Sequence, residues 1–238
     1  MRLLVLTGAL SLLGMVSRPV SAQMVSNLAS EQTTSSPAAA QKADLARVQR
    51  ATLRGLERPE VQAAFEKALK GKRPDEARAV AQQLATRGVR RLSTGDLRRR
   101  AELLLEFTGR ASATACGQWA RGQAGRDDMV AMIAQLDSVA LDAWVDLGMR
   151  ATMAEVGQKP AAFPGTEADV SRVFQRFPTV MTQAESDRFR AVAAAFEHAS
   201  AEDACWFGRQ LYVAALALKP NDRDHALRTL AWMEGQPN

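Results

Sequence analysis

From about residue 42 onward, apolar side chains recur at intervals of three and four. Val61, Ala64, Phe65 and Ala68 form one stripe, Ala77, Val80, Ala81 and Leu84 a second, and Met129, Met132, Ile133 and Leu136 a third. This is the spacing of one face of an α-helix, and it lacks the two-residue alternation of a half-buried strand. Residues 139–156 differ. Leu141, Trp144, Val145, Leu147, Met149 and Met153 surround most of the segment, while Asp142, Asp146 and Arg150 occupy one narrow line. That pattern predicts a central helix buried on most sides.

Helix starts are marked by small polar residues followed three places later by a carboxylate: Ser93 with Asp96, Thr166 with Asp169, Thr182 with Glu185, Ser200 with Asp203, and Asn221 with Asp224. A side-chain oxygen at such a position takes up a backbone donor that has no partner inside the helix, and the acid suits the positive end of the dipole. Arg58-Pro59-Glu60 and Arg73-Pro74-Asp75 place proline where a first turn tolerates it. Residues 157–165 and 177–181, with Pro160, Pro164 and Pro178, read as connectors. Composition points the same way. Alanine occurs 44 times against one isoleucine, Ile133, and one tyrosine, Tyr212, so helix formers abound and strand formers are scarce. The expected fold is all-α: a single domain of about nine to eleven short helices packed as helical hairpins.

The beginning of the chain reads differently. Met1-Arg2 precedes an apolar run from Leu3 to Val16, and Val20-Ser21-Ala22 supplies small residues for cleavage. Residues 1–22 are therefore expected to be a cleaved secretory signal peptide. The apolar run is short for a membrane span, and no cysteine follows the cut to carry a lipid. Residues 23–41, centred on Thr33-Thr34-Ser35-Ser36-Pro37, have little to bury and are expected to form a flexible linker; the helical domain is expected over 42–238. Export to an oxidising compartment makes a disulfide between the only cysteines, Cys116 and Cys205, the plain expectation. Those two cysteines and two distant histidines lack the close spacings of zinc motifs, so no metal and no cofactor is expected.

Charge is unevenly distributed. Residues 42–110 hold 17 basic and 9 acidic side chains, a balance of +8, whereas residues 111–238 hold 12 and 16, a balance of −4. Two readings stand open: a basic face for an anionic partner, or pairing between the two halves of the chain. The densest basic cluster is Arg87, Arg90 and Arg91, then Arg98, Arg99 and Arg100; of these, Arg87, Arg90, Arg91, Arg98 and Arg99 are a candidate interaction surface, as are Trp119 and Trp206 beside the cysteines. The arginines have no interleaved aromatics to stack on bases, so nucleic acid is not an expected partner.

Catalytic signatures are lacking in the sequence. There is no Gly-x-Ser-x-Gly elbow, no Ser-x-x-Lys and no His-Glu-x-x-His. His225 with Asp222 and Asp224 is the strongest imidazole candidate; His198 suits a helix end. Glu185-Ser186 is similar to the Glu-Ser of lytic transglycosylases, but the following residues do not continue that pattern. Glu102 with Glu106, and Asp142 with Asp146, share single helix faces, as solvated charges do. No catalytic residue is assigned. The expected function is that of an exported, periplasmic or secreted, non-catalytic helical interaction or scaffold protein of the bacterial envelope, with another envelope protein as partner. The alternatives are an envelope-directed hydrolase or lytic enzyme, and a carrier of apolar ligands suggested by nine methionines.

Overall fold

The computed structural model describes residues 37–236 apart from Ala162 and Pro164; the expected signal peptide and most of the expected linker lie outside the described residues. Eleven α-helices follow one another: α1 Pro37–Leu56, α2 Pro59–Leu69, α3 Pro74–Gly88, α4 Thr94–Arg110, α5 Ala113–Ala120, α6 Arg126–Ile133, α7 Ser138–Val156, α8 Glu167–Arg176, α9 Gln183–Ala194, α10 Ala201–Ala217 and α11 Pro220–Glu234. Short 3₁₀ turns at Val89–Arg91, Phe177–Val180 and Phe196–His198 join α3 to α4, α8 to α9 and α9 to α10. Among the described residues there is no strand.

The caps explain most of these starts. The hydroxyls of Ser93, Thr166, Thr182 and Ser200 accept from the backbone N–H groups of Asp96, Asp169, Glu185 and Asp203. Two boundaries differ from the sequence expectation. The described part of α1 includes residues 37–41, which the sequence alone assigns to the end of the flexible linker; Ala38 to Ala40 are the strongest helix formers. The last helix is started by Pro220 with Lys219 at the cap position, which places Asn221 and Asp224 inside the helix.

α7 is the axis of the body, with ten of its residues buried. α1 lies beside it and runs parallel: Arg47 donates to the carbonyls of Ala134 and Leu136, Arg54 pairs with Asp142 at 2.5 Å, and Arg58 pairs with Asp146 at 2.6 Å. α3 crosses α7 closely at Gly88, where an added Cβ would come within 1.9 Å of the Ala151 carbonyl oxygen. α4 runs antiparallel on the other flank, with Phe107 edge-to-face on Trp144 at 5.0 Å.

The second half of the body is organised by α10. It packs along α5, and the Cys116–Cys205 disulfide joins the two helices with Cα atoms 5.0 Å apart. Phe174, Phe177, Phe189, Phe196 and Phe207 gather in one aromatic cluster that ties α8, α9 and their 3₁₀ turns to α10. α11 then returns against α10 and α4. Apolar residues from both parts of the chain share one contiguous core.

Candidate functional site

The arginine cluster is the first test of the interaction reading, and its members are not equivalent. Arg91 is largely buried; its Nε donates to Glu155 and its NH1 to the Lys159 carbonyl. It joins the turn after α3 to the end of α7, so it is not part of an open surface. Arg98 and Arg99 are exposed and share Glu102 on their own helix, at 3.0 and 3.6 Å. Arg87 is exposed and Arg90 half-buried. The wider pattern explains why. Arg54, Arg58, Arg91 and Arg100 from the basic half reach Asp142, Asp146, Glu155 and Glu234 of the acidic half. Arg150 reverses the direction, reaching back to Asp96 at 2.6 Å. Packing α1, α3 and α4 around α7 thus neutralises charge across the two halves.

One polar cluster is sealed in the core. Arg100 on α4 donates from NH1 and NH2 to both oxygens of Glu234 on α11, at 2.9 and 2.7 Å, and Tyr212 of α10 donates its hydroxyl to Glu234 at 2.5 Å. The guanidinium also lies over the Trp144 ring, 5.3 Å from its centroid. Burial, and then the Glu234 charge, push the Tyr212 phenol well above its usual range. Burial is the largest single influence on the Arg100 guanidinium and pulls it down, but the charges of Glu234 and Tyr212 and their hydrogen bonds together outweigh it, and the net direction is upward. Perturbed groups of this kind often mark active sites. Here they serve packing: every member is buried. The adjoining void between Val89, Leu92, Leu147, Trp144 and Arg100 holds about 10 Å³, room for roughly one water.

Sequence reading missed this cluster, although a signal was present. Arg100 stands on the stripe Leu97, Arg100, Leu104, Phe107, and Glu234 on the stripe Leu227, Leu230, Glu234. A lone charge on each of two apolar stripes is what a buried ion pair requires.

The candidate chemical groups lie on different elements. Glu185 accepts from the Thr182 backbone N–H and hydroxyl, both at 2.8 Å, and this holds its carboxyl below the usual range. His198 is exposed in its 3₁₀ turn. His225 sits in the second turn of α11, and its partner is Asp169 of α8, 3.5 Å from Nε2, rather than Asp222 or Asp224. Phe163 meets the same imidazole edge-to-face at 5.1 Å. Glu102 and Glu106 pair with Arg98 and Arg110 along α4. Among the described residues no group of His, Cys, Asp and Glu could hold a metal ion.

The two tryptophans divide. Trp119 is only 3% exposed, so it is core rather than contact surface; α5 presses it against Gly208 and within 6.3 Å of the Tyr212 ring. Trp206 is half-buried on the outside of α10, with Arg188 stacked 4.3 Å over its ring. Arg188 is held there by Asp203 at 2.7 Å. Two turns further along the same face stands Val213, an exposed apolar side chain. Among the described residues no helix is long and apolar enough to cross a membrane. Comparison with protein-family models, with curated proteins and with solved structures finds no match to the chain.

Proposed function

We propose that this chain is an exported, non-catalytic interaction protein of the bacterial envelope, and that the outer face of α10, from Trp206 to Val213, meets a partner protein. The observation that carries the reading is Trp206 on a helix that cannot shift freely. Its neighbour Cys205 is bridged to α5, the ring is covered by Arg188, and exposed Val213 extends the same face. Tryptophan and arginine on a preorganised support are the residues that most often dominate protein–protein binding energy. The capping of Thr182 by Glu185 and the contact of His225 with Asp169 support a non-catalytic role, because hydrolysis needs such groups convergent in one cleft. Export is supported by the leader pattern of residues 1–22 and by the cysteine pair.

A photo-crosslinking residue at Val213, tested in the producing cells, checks the proposal. A discrete adduct with one envelope protein is expected from position 213 and not from position 99. Adducts from position 99 alone, or none from position 213, contradict the assigned face. N-terminal sequencing of the recovered protein is expected to begin at Gln23; an intact leader contradicts export by cleavage.

A further inference from the structure

The structure separates arginine from lysine. Arginines make the ion pairs that close the fold, whereas among the described residues no lysine lies in an ion pair with a carboxylate. Three of the six lysines, Lys67, Lys70 and Lys72, fall at the junction of α2 and α3, and all three are exposed. α2 buries only Val61, so its end stands away from the core. Gly71, at φ 74° with open space where a Cβ would lie, makes the turn between Lys70 and Lys72. An open groove along α2 is lined by Ala63, Glu66, Lys67, Leu69 and Lys70. Its one carboxylate is Glu66, and half-buried Leu69 lines it together with Lys67 and Lys70. Arg73 beside the turn is committed to Glu76 at 2.9 Å.

We infer that this tip is a docking point for an anionic phospholipid surface, a contact separate from the protein-binding face on α10 and independent of it. Lysine is a compact, strongly hydrated charge on a flexible stem, whereas guanidinium forks match fixed carboxylates in two-point geometry. Three lysines with no partner to orient them, flanking a small apolar side chain, suit a fluid layer of mobile phosphates better than a rigid acidic protein. Near such a layer each lysine raises partitioning about fivefold, so the three together supply on the order of 10²-fold.

Vesicle co-sedimentation of the protein purified from its producing cells tests the inference. Binding is expected to mixed phosphatidylglycerol–phosphatidylcholine vesicles, not to phosphatidylcholine alone, and to vanish at about 1 M salt, where the Debye length is about 3 Å. The exposed triple variant Lys67→Gln, Lys70→Gln, Lys72→Gln is expected to keep the helical circular dichroism and melting temperature. It should bind the anionic vesicles on the order of 10²-fold more weakly. The Arg98→Gln, Arg99→Gln variant is expected to bind like the parent. Equal binding to both vesicle types, unchanged binding of the lysine variant, or an equal loss in the arginine variant overturns the inference. So does capture of an acidic protein through these lysines without vesicle binding.

Discussion

Arg100 and Glu234 stand 134 positions apart in sequence, yet meet through two parallel hydrogen bonds in the core. The pair joins α4 to α11, and the Tyr212 hydroxyl on the same carboxylate adds α10. A buried charge left alone is far costlier than the pair is stabilising. Glu234→Gln is therefore expected to lower unfolding stability by about 3–5 kcal/mol, and the double change Arg100→Met, Glu234→Leu to recover most of that loss. Urea unfolding of both variants measures it; a double variant no more stable than Glu234→Gln contradicts the reading.

Exposure should sort the arginines. Arg91→Gln leaves Glu155 largely buried without its cation and is expected to cost about 2–3 kcal/mol. Arg98→Gln removes only a solvated partner of Glu102 and is expected to cost about 0.5 kcal/mol or less. Comparable losses would place both on the same kind of surface.

The bridge closes a loop whose ends are 89 residues apart. Reduction, or Cys116→Ala with Cys205→Ala, is expected to lower stability by roughly 2–4 kcal/mol while leaving the protein helical. Unfolding midpoints that coincide with and without reductant would show that the bridge adds nothing.

Legibility in the sequence followed how local each cause is. Four of the five hydroxyl- or amide-led caps lie where residue type alone places them, because a cap is a contact between residues three apart. The fifth failed because Pro220, one position earlier, starts the helix first. The burial of α7 was legible from its ring of apolar positions. The fate of the basic half was not. Whether Arg54 meets Asp142 or solvent depends on α1 lying parallel to α7, and nothing in either helix alone states that. Trp119 and Trp206 both neighbour a cysteine, and only the face of the helix each occupies separates core from surface.

Acid should loosen the starts of α9 and α10 first. The Thr182 backbone N–H and hydroxyl hold Glu185 below its ordinary value of 4.5, and Arg188 followed by Ser200 holds Asp203 below 3.8. A carboxyl whose folded value is depressed adds stability above its unfolded value and loses it as pH falls through the folded one. The melting temperature should therefore be level above about pH 5 and fall below about pH 4, with a shallower fall in Glu185→Gln. An identical acid limb in that variant contradicts a role for the Thr182–Glu185 cap.

Pairing between the basic and acidic halves is tested most directly by a double-mutant cycle on Arg91 and Glu155. Arg91→Gln, Glu155→Gln and the double variant are each unfolded in urea. Internal pairing predicts a favourable coupling of about 1–3 kcal/mol. Additive losses, with coupling indistinguishable from zero, would contradict it and return the arginine cluster to the surface.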